Sequence, residues 1–261
     1  MYILLKTEIQ KLKRYRVLYA GVLLMLLSVV ITMITSTAKD GTVWDFQMLY
    51  EQVIQNNMTT IFPVTITLII GFIINREFRD NTLKNLSTVP VKYSKVLLAK
   101  ILLGCILAVI YGLCSWFFTL VAYKLSSFTG LSTELLIKSL WQITLFNLFL
   151  YIGITPLIVI TNKLGINHLI SIIISFISGY SAMFVTNNEL LMNIYPVTAG
   201  LSIIGYRSHN PSVDEMLNPV LSIISLTSIL FLTLIIVSTI DQNKNTNKKD
   251  KSKLKQHKRG W

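Results

Sequence analysis

The sequence predicts an all-α polytopic membrane protein: six transmembrane helices, an N-terminal amphipathic helix before them, and both termini cytoplasmic. Three observations predict it. Of 261 residues, 52% are hydrophobic and only 14% charged, with a mean hydropathy of +0.60. A soluble domain carries about 25% charged residues, and a water-soluble fold of this composition would expose large apolar patches. Six apolar runs are long enough to cross a bilayer, which takes about 20 helical residues each. Finally, 20 of the 24 Lys and Arg residues fall on one side of those runs. Basic side chains resist translocation, so the crowded side is cytoplasmic.

Residues 1–16 place Leu5, Ile9 and Leu12 at i, i+4 and i+7 with Lys6, Lys11 and Lys13 among them. That pattern suits a helix lying on the inner membrane surface, the alternative being a plain basic extension of the first span. The transmembrane domain covers residues 17–240, with spans at 17–36, 59–74, 101–123, 140–161, 168–185 and 219–240. Ser36-Thr37-Ala38 resembles a signal cleavage site, but the run before it is long enough to span, and its removal would invert the tail. Pro63 and Pro156 are expected to kink spans two and four. The long outer connections are 37–58 and 186–218. The second holds Tyr195-Pro196, Gly200 and Gly205 around a short apolar stretch, either a re-entrant turn or an ordinary external loop. Residues 241–261 are polar and basic, a disordered cytoplasmic tail that suits a solvated topology anchor, the alternative being attraction to anionic membrane lipid. A single Trp there offers no stacking platform, so no nucleic acid partner is expected.

The chemistry of an enzyme is missing from the pattern. No H-E-x-x-H is present, and Gly179-Tyr180-Ser181 lacks the glycine that follows a nucleophile elbow. Its nearest base, His168, stands on the same helix about 20 Å away. Cys105 and Cys114 are nine residues apart in one run, on opposite helix faces, which suits buried small hydrophobes rather than a disulfide or metal pair. No metal site is expected. No glycine precedes Lys-Ser/Thr, so any use of ATP needs another polypeptide. None of the twelve acids falls inside the six runs, which argues against a proton-coupled antiporter or an acidic channel filter.

Polar residues inside the runs include Thr65, Thr67, Asn147, Ser171, Ser175 and Ser178. They suit either close helix packing or the lining of a substrate pathway. The cytoplasmic segment 75–100 has a different look. Asp80 or Asn81 can cap a short helix, Leu83 and Leu86 give it an apolar edge, and Pro90 breaks it before span three. A charged helix with one apolar edge, projecting from the inner surface, is built to dock, the alternative being a plain positive-inside loop.

That segment resembles the cytoplasmic signature of ABC-2 type permeases. Glu77 stands at the end of span two, Thr82-Leu83 leads to the turn carried by Leu86, Ser87, Thr88 and Pro90, and Lys100 opens span three. Asp80-Asn81 stands where a Glu/Arg-Gly pair is common. The resemblance implies a membrane subunit of an ATP-binding cassette exporter, with no catalytic residue. Glu77, Arg79, Asp80, Thr82, Leu83, Asn85, Leu86 and Pro90 would form the loop that couples to separate ABC ATPase subunits. ATP and Mg would be bound there and no cofactor in this chain. A second permease, identical or a sister, would complete the path for an amphipathic peptide, toxin or drug. Permeases of this length resemble those that protect Gram-positive bacteria against bacteriocins, lantibiotics or bacitracin, and 18 Lys against 6 Arg fits an AT-rich genome of that kind. The alternative function is a secondary transporter working without an ATPase.

The charge partition makes a direct prediction. Single cysteines at Asp45 and Asn210 should react with an impermeant thiol reagent in intact cells, and one at Ser94 should not. Labelling of Ser94 would invert the topology.

Overall fold

Polar caps at the breaks between apolar runs set the helix starts. In the computed structural model, which describes residues 1–13, 15–38, 44–79, 92–206 and 216–240, Asp45, Ser132, Asn167, Asn188 and Asn218 each accept a backbone N–H from the first turn that follows. The helices are α1 (Tyr2–Leu12), α2 (Val17–Thr35), α3 (Phe46–Asn56), α4 (Phe62–Arg79), α5 (Tyr93–Leu125), α6 (Thr133–Lys163), α7 (His168–Val185), α8 (Glu189–Ile194), α9 (Ala199–Ile203) and α10 (Pro219–Ser238). A π-helical turn, Asn57–Ile61, joins α3 to α4. Six spans are long and apolar enough to cross a membrane: α2, α3–α4 together, α5, α6, α7 and α10. The bundle therefore has two ends: a basic end, with α1, Lys100 and Lys163, and a far end.

The second span is longer than the hydropathy of the sequence indicates. It starts at Phe46, so much of the 37–58 connection is helical. Phe46, Leu49, Tyr50, Val53 and Ile54 recur at helical spacing and are fully buried. Interleaved Gln47, Glu51, Gln52 and Gln55 dilute the hydropathy and hide the helix. As a consequence an acid does enter a span: Glu51 is buried near the far end, where Gln47 Nε2 donates to its Oε1 at 2.8 Å.

Backbones approach closely wherever small residues permit. On α5, Gly104, Ala108 and Gly112 repeat every four residues and face α6. A Cβ at Gly112 would stand 2.8 Å from the Thr144 Cα, and one at Gly104 would strike the Tyr151 hydroxyl, which donates to the Ile101 carbonyl at 2.8 Å. Without water to drive apolar burial inside a membrane, such contacts and interhelical hydrogen bonds are what hold helices together. Gly21 of α2 meets the Tyr111 ring of α5 in the same way. Pro63 has no N–H to offer the Thr59 carbonyl one turn earlier. The π-turn accommodates the break, and α7 crosses there at Gly179, whose Cβ would lie 2.6 Å from that carbonyl. The outward faces of α2, α7 and α10 expose Leu23, Ile177, Phe184 and Phe231, the surface expected against lipid.

The described part of the connection after α7, residues 186–206, does not pass over the end of the bundle. It runs into it. The Pro196 carbonyl contacts the Gly153 position on α6, about 30 Å along that helix from Thr133, and Gln142 Nε2 donates to the Ile204 and Gly205 carbonyls nearer the far end. Residues 189–206 of the 186–218 stretch thus pack among the helices, the arrangement that the re-entrant reading expects.

Candidate functional site

Two constellations gather side chains whose burial costs free energy and so calls for a reason. The first lies at the basic end. Glu8 of α1 is buried, as is Lys100 of α5, and their Oε2 and Nζ atoms are 2.6 Å apart. Lys11 Nζ donates to the other carboxylate oxygen, also at 2.6 Å. A buried charge is tolerable only when paired and hydrogen-bonded, so α1 is held in register against the first turns of α5. Beside it, the Arg76 guanidinium lies 4.5 Å over the Tyr15 ring, and Tyr15 meets Phe72 edge-on at 6.0 Å. The elbow between α1 and α2 is thereby fixed to the last turns of α4. Three elements, α1, the end of α4 and the start of α5, thus meet around the two ends of the 80–91 segment. Asp80, Thr82, Leu83, Asn85, Leu86 and Pro90 fall outside the described residues. Glu77 and Arg79 belong to the last turn of α4.

The second constellation is a polar seam inside the bundle. Thr67 Oγ1 donates to Ser175 Oγ at 2.7 Å, joining α4 to α7. Ser178 and Ser181 meet the Tyr195 hydroxyl, which also donates to the Ser178 carbonyl at 2.6 Å, tying α7 to the re-entrant segment. Thr65 and Ser171 bond back to carbonyls one turn earlier, Ile61 and Asn167. Near the α4–α7 contact, a crevice of about 10 Å³ between Thr67, His168 and Ser171 has room for one water. Asn147 differs from all of these. It is fully buried, faces Gly112 of α5, and neither of its amide atoms has a hydrogen-bond partner among the described residues. Thr144 Oγ1, one turn away, is likewise unpartnered, and Asn57 spends its Nδ2 on Ser115 Oγ at 3.1 Å while its Oδ1 has none. Buried polar atoms normally find partners. The α5–α6 seam therefore carries hydrogen-bonding capacity that this arrangement leaves unused.

Two residues, Glu8 and Asn193, escape a reading of the sequence, and a third, Tyr195, reads there only as part of a loop. Glu8 looks like one acid in a basic stretch. Asn193 is fully buried, donates to the Glu189 and Met216 carbonyls at 2.7 and 2.8 Å, and accepts from Ser202, Ser222 and the Asn218 N–H, knitting α8, α9 and α10 together. Tyr195 is the other anchor of that segment. Nothing in local spacing marks such long-range partners. No group of three or more His, Cys, Asp or Glu able to hold a metal is present among the described residues.

Comparison with known proteins adds the following. A family model described as ABC-2 family transporter protein matches residues 4–182. The bacitracin transport permease protein BCRB of Bacillus licheniformis is 30% identical over 122 residues, which cover 47% of this chain and 58% of that protein. No solved structure matches.

The buried pair makes a testable prediction about the basic end. Removing one partner of such a pair costs about 3–5 kcal/mol, because the other charge stays buried. Glu8→Gln should therefore lower the melting temperature of the purified chain by several degrees. Adding Lys100→Met to it should recover most of the loss. A Glu8→Gln protein that melts like the parent would show that the pair does not hold α1.

Proposed function

The chain belongs to the ABC-2 family of transporter proteins, and on that premise we propose that it is the translocating subunit of an exporter driven by a separate ATPase. It is a multi-pass protein of the bacterial plasma membrane and the membrane subunit of an ABC transporter. The finer reading is ours. The 80–91 segment docks on an ABC ATPase subunit, which binds ATP and Mg, and a second permease, identical or a sister, completes the pathway. The observation that carries this reading is the place of that segment in the chain. It joins α4 to α5, and the basic-end turns of both are tied to α1 through Arg76–Tyr15 and Lys100–Glu8.

A displacement of the docked segment then has a short mechanical route. It moves the ends of α4 and α5, and α1 with them as one body. The α5–α6 crossing at Gly112 lies further along the same helix, and there Thr144 and Asn147 hold unspent hydrogen-bonding groups. Opening of that seam would offer amide and hydroxyl partners within an otherwise apolar lining, which suits an amphipathic cargo. The relative that transports bacitracin supports a peptide antibiotic as the substrate class. In this reading Thr67 and Ser175 serve as the packing contact between spans two and five, Ser178 ties span five to Tyr195, and Thr65 and Ser171 bond back to carbonyls one turn earlier.

Leu83→Ala with Leu86→Ala tests the docking claim. Two buried leucine side chains contribute roughly 2–4 kcal/mol, enough to weaken ATPase association by more than about tenfold. The double variant should insert normally yet lose the co-purifying ATPase, whereas Glu77→Ala should keep assembly and uncouple hydrolysis from transport. Thr133→Ala with Leu135→Ala, at the far end, should do neither. Retention of stoichiometric ATPase by the leucine variant would remove the docking role.

A further inference from the structure

We propose that the elbow between α1 and α2 is a binding site for an anionic phospholipid, with Lys13 and Arg16 taking its phosphate-bearing headgroup. A cleft of about 650 Å³ opens there, within the size range of ligand sites. Its two ends differ in chemistry. Lys13 and Arg16 line it at the basic end of the bundle, and both are exposed rather than spent on a buried partner. Ile9 and Leu12 of α1 and Leu18 and Tyr19 of α2 line the rest. Tyr19 is 72% exposed and Ile9 40%. Apolar side chains this open, at the level where a surface helix meets a span, need a covering that is apolar below and anionic above. A diacyl lipid with a net negative headgroup is such a covering. Acyl chains alone would leave two cations uncompensated, and a soluble anion would leave the apolar wall wet.

The fixed geometry of the elbow favours a site over a general attraction. Glu8 and its two ammonium partners hold α1 on one face, and Tyr15, pinned between Phe72 and Arg76, holds the turn. On the opposite face of α1, Tyr2, Lys6, Ile9 and Lys13 follow one another at helical spacing and all are exposed. This stripe continues the cleft along the membrane surface. Cations and apolar groups are thus interleaved on the face turned away from the protein, and the charges needed for internal pairing lie on the other. The inference does not depend on the exporter reading, since it requires only that the chain sits in a bilayer.

The test uses the full chain incorporated into bilayers of equal phosphatidylglycerol and phosphatidylcholine, then extracted and washed in mild detergent, with retained lipid counted by mass spectrometry. Phosphatidylglycerol should be enriched over phosphatidylcholine. Lys13→Gln with Arg16→Gln should cut that enrichment about thirtyfold, as expected for two surface charges. The charge-conserving Lys13→Arg with Arg16→Lys should keep it, as should Lys92→Gln with Lys95→Gln, which removes two exposed charges from the same end. Soluble glycerophosphoglycerol should fail to displace the bound lipid. Unchanged enrichment in the Lys13/Arg16 glutamine variant would overturn the site. So would an equal loss in the Lys92/Lys95 variant, or displacement by the soluble headgroup. Loss of a bound ATPase from the glutamine variant with lipid retention intact would assign the cleft to a protein partner instead.

Discussion

One buried carboxylate organises the basic end of the molecule. Glu8 is shared by Lys100, from the first turns of α5, and by Lys11 of its own helix, so α1 cannot lift away from the bundle without exposing or stranding charge. Surface helices of membrane proteins usually owe their position to the lipid beneath them. Here the position is set by an ion pair between residues 92 apart in sequence, and the lipid-facing side of the helix is left free for other chemistry. The consequence runs through the basic end. The elbow after α1 is clamped to α4 by Tyr15, Phe72 and Arg76, and the start of α5 is clamped to α1, so the two ends of the 80–91 segment report to the same rigid corner.

Away from that corner the bundle depends on how closely backbones can approach. Gly104, Ala108 and Gly112 bring α5 against α6, Gly21 admits the Tyr111 ring, and Gly153 admits the carbonyl of Pro196 deep in the bundle. The re-entrant segment is held by hydrogen bonds through Asn193, Tyr195 and Gln142, because its irregular backbone would otherwise be unsatisfied inside a membrane. Against this economy Asn147 stands out. An amide with no partner among the described residues is poorly suited to a permanently closed seam, and it fits a seam that opens to water or cargo.

What the sequence made legible follows the range of the interactions involved. The fifth span, residues 168–185, is read correctly at both ends because Asn167 caps it and the run that follows is uninterrupted. The helix from Phe46 to Asn56 escapes notice because its glutamines lower the average hydropathy even though its apolar residues keep helical spacing. The four-residue repeat of small side chains on α5 is visible in the sequence once helix contacts are considered. The Glu8–Lys100 pair and the Asn193 hub are not, since nothing local tells a surface charge or amide which distant partner will bury it. Burial of Glu51 follows from the same missed helix, and it corrects the expectation that no acid enters a span. The segment proposed to dock is read only through its resemblance to the family signature, and its residues 80–91 lie outside the described structure.

On the proposed function the chain is the passive half of a machine: its spans supply the pathway, its basic end the lever, and a separate nucleotide-binding subunit the energy. Inside-out vesicles carrying the chain with and without a co-expressed ABC ATPase test this most directly, with accumulation of a labelled amphipathic peptide antibiotic in the lumen as the readout. Uptake should require both proteins and hydrolysable ATP, and should persist when ion gradients are collapsed by ionophores. Uptake by the chain alone, driven by an imposed ion gradient and indifferent to ATP, would contradict the account and assign the protein to the secondary transporters.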